Sequence, residues 1–278
     1  MKLVSLSQQG NARLGRVENG DVIPFDFEGG MLGLIQSGEE GLDFARSVVG
    51  EPVSLDDVTL GPPIDNPSKV LAIGLNYRDH AAEGDVELPK NPLCFTKFPN
   101  TLIGPGAEVT WSPDLTAKVD YEAELAVIIG KEARHVSEKD ALSFVFGYTC
   151  GNDVSARDLQ FSDGQWVRGK SLDTFGPLGP WIVTADEITN PQTLGIRCIV
   201  NGETLQEDNT SNMIFGVAYL IHFYSQAFTL FPGDIIYSGT PAGVGIFRDP
   251  PRLLGDGDKV TIEVERIGKL TNQCRTVK

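Results

Sequence analysis

Apolar and polar residues alternate on both sides of Asn19-Gly20 in RLGRVENGDVIPF. This pattern predicts two strands joined by a tight hairpin, because both central residues tolerate positive φ. The chain thus opens as β-structure. MLGLIQSGEEGLDFARSVVG then reads as a polar, short-range helical stretch. Pro62, Pro63 and Pro67 follow in LGPPIDNPSK, where they break regular structure and read as a linker. The expected division is a small N-terminal domain over residues 1–67 and a larger one over 68–278.

Beyond that boundary the pattern is mainly β. KVLAIGLNY, YEAELAVIIG, DIIYSGT and KVTIEVE are rich in aliphatic residues, and Val260, Ile262 and Val264 share one face. Two helices are also predicted. One follows Thr210-Ser211, taken as its N-cap, and carries Met213, Ile214, Val217, Leu220, Ile221, Tyr224 and Phe228 at helical spacing. The other starts at Ser137 with Asp140 in the place of a capping-box acid. The fold class expected is mainly β with some α (α+β).

Composition narrows the function. The chain has 278 residues, with 23 Lys plus Arg against 38 Asp plus Glu, so its net charge of −15 would repel a phosphate backbone or an anionic membrane. Nucleic-acid and membrane partners are therefore set aside. No apolar run approaches the ~18 residues of a span, and MKLVSLSQQGNARLG has no apolar leader core, so a soluble cytoplasmic protein is expected. Cys94, Cys150, Cys198 and Cys274 are too scattered for a thiolate zinc site or a disulfide framework.

Glu122 and Glu124 sit two apart in a strand-like segment, so both carboxylates leave the same face. Two such charges in apolar surroundings cost several kcal/mol unless a cation or protons compensate them. The alternative is the wet outer face of an edge strand. Asp153, in GYTCGNDVSARD, would be exposed at a strand end as a third oxygen ligand, or would simply belong to an Asx turn. Hard oxygens of this kind suit Mg²⁺, Mn²⁺ or Ca²⁺.

His80 and Glu83 in GLNYRDHAAEG are neighbours on one helical turn, where the carboxylate would raise the imidazole's basicity and fix its tautomer, or merely form a surface ion pair. His135 and His222 read as structural. Lys170 lies among Gly, Phe and Pro in VRGKSLDTFGPLGP, a setting in which its amine can be drawn inward to meet an anion. In YSGTPAGVG, Thr240 and the backbone amides around Gly239 and Gly243 could receive a carboxylate. No Walker loop or Gly-x-Ser-x-Gly elbow is present.

The ordered strings GLNYRDHAAE, DYEAELAVIIG, GYTCGNDVSARDLQ, GKSLDTFGPLGP, VNGETLQEDNTSNMIF and SGTPAGVG resemble the fumarylacetoacetate hydrolase family across residues 68–278. The resemblance implies a β-sandwich roll and a homodimer. It also implies one Mg²⁺ or Mn²⁺ held by Glu122, Glu124 and Asp153. By the same resemblance, His80 and Glu83 activate water from a lid formed by EGDVELPKNP. Lys170 contacts the substrate, Thr240 meets its carboxylate, and Arg157 and Gln160 add polar contacts. Phe98-Pro99-Asn100 departs from the family's usual residues after Lys97.

The activity implied is hydrolysis of a C–C bond in an acylpyruvate-type 2-keto acid. The same site would serve an isomerase of hydroxymuconate-type diacids, an oxaloacetate decarboxylase or a ureidoglycolate lyase. A different class, a non-catalytic module that binds metal or small acids, also fits the acidic residues.

Overall fold

The computed structural model describes residues 1–8 and 10–278. Most of the regular secondary structure is sheet. A 12-stranded sheet crosses the whole molecule, and a five-stranded sheet packs against part of it. The strand Ala123–Ile129 is an interior strand of the larger sheet, paired antiparallel with Val145–Asn152 on one side and Ile235–Tyr237 on the other. All seven of its residues are buried. This position excludes the edge-strand reading of the Glu122/Glu124 segment: both of the strand's sides are paired and both its faces are covered.

Alternation along that strand separates two cores. Leu125, Val127 and Ile129 pack with Ile196, Cys198, Val260, Ile262 and Val264 of the five-stranded sheet. Ala126 and Ile128 pack on the opposite face with Met31, Leu34 and Ile35. The two-residue period of a strand is what lets one segment feed both layers.

The N-terminal strands Lys2–Gln8, Asn11–Glu18 and Asp21–Phe25 continue the large sheet, with Lys2 and Leu3 opposite Val183 and Ile182 of Gly176–Thr184. Asn19 (φ 51°) and Gly20 (φ 94°) make the turn, with Glu18 opposite Asp21, as the hairpin pattern predicts. The helical stretch that follows divides into Gly30–Gln36 and Glu39–Ser47, because Gly38 takes φ 58° between them.

Two predicted helix starts are corrected. The long helix runs Val217–Ala227 with Gly216 at its N-cap rather than Thr210 or Ser211. Met213 instead bridges to Tyr77, and Ile214 N–H donates to Asn76 O at 2.7 Å, so long-range backbone pairing outcompetes local helical spacing. Glu138–Phe144 is a 3-10 segment, and Ser137 Oγ donates to Asp140 Oδ2 at 2.7 Å instead of capping a backbone N–H. The four cysteines are free thiols, three of them buried.

Candidate active site

Register assembles the acids. Asp153 directly follows the Val145–Asn152 strand, in which Asn152 stands opposite Ala123, and Asp153 N–H donates to Glu122 O at 3.0 Å. Antiparallel pairing therefore sets the third acid against the first. Glu122 lies one residue before the Ala123–Ile129 strand and Glu124 within it. One carboxylate oxygen from each of Glu122, Glu124 and Asp153 lies within 4.8 Å of the others, and all three residues are buried.

Burial of three acids demands compensation, and two of them receive it. Lys170 Nζ lies 2.9 Å from Glu122 Oε2 and 2.7 Å from Asp153 Oδ2. Lys97 Nζ lies 2.6 Å from Asp153 Oδ1, and Arg157 Nη1 lies 2.7 Å from Glu122 Oε1. Burial pushes the Glu122 carboxyl up, but Lys170 and then Arg157 outweigh it and hold the group at about 2.

Glu124 is different. Among the described residues no ammonium or guanidinium meets it, and its Oε2 accepts the Gly239 N–H at 2.6 Å. Burial first, then the charges of Asp153 and Glu122, push its carboxyl well above the ordinary range. A buried carboxylate short of positive charge, beside two more hard oxygen donors that keep free lone pairs, fits a divalent cation. Mg²⁺ and Mn²⁺ both match this donor set.

His80 and Glu83 fall on the short helix Arg78–Glu83, with His80 Nδ1 2.6 Å from Glu83 Oε1. Glu83 Oε2 in turn accepts the Gly243 N–H at 2.8 Å. The imidazole is thus held through one nitrogen, leaving Nε2 for chemistry. His80 is buried, so the surface-pair reading is excluded. His222 Nδ1 is taken by Val136 O at 2.7 Å, in keeping with a structural role.

Arg157 opens the helix Arg157–Ser162 and is 3% exposed. Its Nε donates to Asp120 Oδ2 at 2.9 Å and its Nη1 to Gln160 Oε1 at 3.0 Å, while its Nη2 is buried without a partner among the described residues. Thr240 Oγ1 accepts from Gln206 Nε2 at 2.8 Å, and Gln206 Oε1 accepts the Ala123 N–H at 2.9 Å. Gln206 thereby ties the Thr240 loop to the acid-bearing strand.

His80, Glu122, Arg157, Gln160, Lys170 and Thr240 line one cavity of about 130 Å³ together with Val86, Phe95, Phe161, Trp166 and Phe247. Glu124 and Asp153 do not line it. The structure therefore brings all nine candidate residues to one region, with Glu122 as the acid that reaches the cavity.

Sequence reasoning missed Lys97, Asp120 and Gln206. One signal for Lys97 was present: Leu93, Phe95 and Lys97 alternate in the strand Leu93–Lys97, so the lysine occupies the face that carries two apolar residues. For Asp120 and Gln206, whose partners lie tens of residues away, local spacing offers no comparable sign.

A family model described as the fumarylacetoacetate (FAA) hydrolase C-terminal region matches residues 69–275. The chain is 44% identical over 247 residues to the mitochondrial oxaloacetate tautomerase of Rattus norvegicus, an alignment covering 87% of this chain and 79% of the rat protein. A solved fumarylacetoacetate hydrolase from Exiguobacterium antarcticum superposes with a TM-score of 0.89 at 39% identity, covering 100% of both chains. A solved 2-hydroxyhepta-2,4-diene-1,7-dioate isomerase from Mycobacterium marinum gives 0.82 at 35% identity, covering 99% of this chain and 98% of the other. The cytoplasmic expectation is overturned: the rat relative and its Xenopus laevis and human counterparts are all named as mitochondrial proteins. An acidic composition and the lack of a long apolar run do not separate one compartment from another.

Proposed function

The chain belongs to the fumarylacetoacetate hydrolase family, and from that premise we propose that it is a divalent-metal-dependent tautomerase of oxaloacetate-type 2-keto diacids. The observation that carries the proposal is that the acid cluster Glu122, Glu124 and Asp153 and the His80–Glu83 dyad meet at one cavity through Glu122 and His80, which both line it. In this reading Glu122, Glu124 and Asp153 hold one Mg²⁺ or Mn²⁺, which supplies electrophilic stabilisation of the charge that builds on the 2-keto oxygen. The other roles belong to the chain's own side chains.

His80 takes a proton from C3 at Nε2, and Glu83 holds the imidazolium through Nδ1. The C3–H electron pair becomes the C2=C3 bond as the C2 oxygen gains charge. Returning the proton to that oxygen completes the enol, with no atom gained or lost. Arg157 Nη2 and the third N–H of Lys170 are the donors for the substrate carboxylate, with Gln160 and the Thr240 hydroxyl beside it. A cavity of about 130 Å³, below the roughly 300–1,000 Å³ of drug-sized sites, suits a four-carbon diacid.

The second reading is the C–C hydrolase, and the 2.6 Å His80–Glu83 contact is what favours it, since the same base can deprotonate water. Water would then add to the distal carbonyl of an acylpyruvate, the C3–C4 bond would break, and the enolate of pyruvate would leave and take up a proton.

Both readings are tested by giving the Mn²⁺-loaded protein the enol of oxaloacetate and, separately, acetylpyruvate. Loss of enol absorbance without pyruvate release is expected. Acetate and pyruvate formed from acetylpyruvate with no acceleration of ketonisation would reverse the order of the two readings. Residues 1–67 as a small N-terminal domain whose strands extend the large sheet, and a homodimeric assembly, belong to this proposal, tested by limited proteolysis and by mass in solution.

A further inference from the structure

Asp120 is buried, carries no role in the reading above, and has both carboxylate oxygens fully engaged. Its Oδ1 accepts the Tyr121 N–H at 2.9 Å and the Gly245 N–H at 2.8 Å. Its Oδ2 accepts the Ile246 N–H at 3.1 Å and Arg157 Nε at 2.9 Å. One side chain therefore grips two different parts of the site.

The first is the guanidinium. With Nε on Asp120 and Nη1 on Glu122 and Gln160, rotation of Arg157 is blocked, and Nη2 is left as the buried donor with no partner among the described residues. The second is the loop from Gly243 to Phe247. Its Gly243 amide holds Glu83, and the Phe247 ring lies 6.3 Å from the His80 ring, centre to centre. A Cβ at Gly245 would fall 2.5 Å from Asp120 Oδ1, so the loop approaches this carboxylate as closely as backbone can.

We propose that Asp120 is a positioning residue that orients the substrate-binding Arg157 and the loop supporting the His80–Glu83 dyad from a single carboxylate. This rests on the functional reading above for what Arg157 and His80 do. Asp120 Oδ2 accepts from both Arg157 Nε and the loop's Ile246 N–H, so displacement of either partner is felt by the other.

The test uses Asp120→Asn, which keeps the shape but removes the charge and one acceptor. Oxalate, whose adjacent carboxyl groups imitate a 2-keto acid, serves as the binding probe and is titrated by calorimetry into the Mg²⁺-loaded full chain. The variant is expected to bind oxalate about 10- to 100-fold more weakly, and to lower kcat about tenfold. Its Mg²⁺ affinity is expected to change less than about threefold. The effect on oxalate should vanish in an Arg157→Lys background, and the effect on kcat in a Glu83→Gln background.

Unchanged oxalate affinity, or losses that simply add in both backgrounds, would overturn the proposal. If Asp120→Asn does not fold, Asp120→Glu keeps the charge that buried Arg157 requires and is expected to give the same weakened oxalate binding; wild-type affinity there overturns the proposal equally. Wild-type protein that neither binds oxalate nor turns over a 2-keto acid would instead contradict the functional reading.

Discussion

The Gly243 N–H donates to Glu83 Oε2 at 2.8 Å across 160 positions of sequence. Gly243 has φ +101°, and a Cβ built on it would fall 2.3 Å from Leu205 O, so no other residue can present this amide without moving the loop. With Oε2 held there, Oε1 faces His80 Nδ1 at 2.6 Å. Gly243→Ala is therefore expected to lower kcat at least tenfold and stability by about 1–3 kcal/mol, with Mn²⁺ affinity retained. Steady-state kinetics alongside thermal unfolding checks it; an unchanged kcat would show that the dyad does not depend on this amide.

His80→Ala removes the base and is expected to cost about 10²- to 10⁴-fold in kcat, with bound metal retained. Glu83→Gln keeps the hydrogen-bonding shape but not the charge that steadies the imidazolium, so its loss should be smaller. Equal activity in wild type and His80→Ala would remove His80 from the mechanism.

Lys97 is 1% exposed and pairs with Asp153 at 2.6 Å, while also donating to Val154 O at 3.3 Å and to Lys170 O. Burial pulls its amine below the usual lysine range, and Asp153 opposes that pull. Lys97→Met leaves the Asp153 charge without one of its two ammonium partners, so a destabilisation of about 3–5 kcal/mol is expected in cation-free protein. Added Mg²⁺ should recover part of it. Chemical denaturation with and without Mg²⁺ measures both, and equal stability with and without Mg²⁺ would contradict this account.

The raised carboxyl of Glu124 fixes the sign of a pH effect. A carboxyl whose folded value lies above its ordinary 4.5 favours the fold while protonated and loses that contribution as pH rises above 4.5 toward the raised value. Cation-free protein should therefore lose stability with rising pH through this group, Glu124→Gln should abolish that slope, and Mg²⁺ should suppress it by binding the carboxylate. Mg²⁺ binding should also release protons into weakly buffered solution and strengthen as pH rises. Calorimetry in buffers of different ionisation enthalpy measures the release; none at any pH would contradict the assignment.

Much of this site was readable where its signal is local. The Glu122/Glu124 spacing, the His80/Glu83 pair and the Asn19-Gly20 turn each rest on a period or a φ preference contained within a few residues. What escaped depends on register between distant strands. Asp120 meets Arg157 and Gly245, Gln206 meets Ala123 and Thr240, and Met213 pairs with Tyr77 instead of starting a helix. Lys97 was passed over because a lysine at a strand end ordinarily reaches solvent, whereas here Asp153 waits beneath it.

Lys170 now stands between Glu122 and Asp153, on lone pairs that a cation would share. The most direct test is an anomalous-scattering map from crystals grown with Mn²⁺. The account predicts one peak per chain within about 2.0–2.6 Å of an oxygen from each of Glu122, Glu124 and Asp153. A map with no peak there, and Lys170 still bridging the two acids, would contradict it.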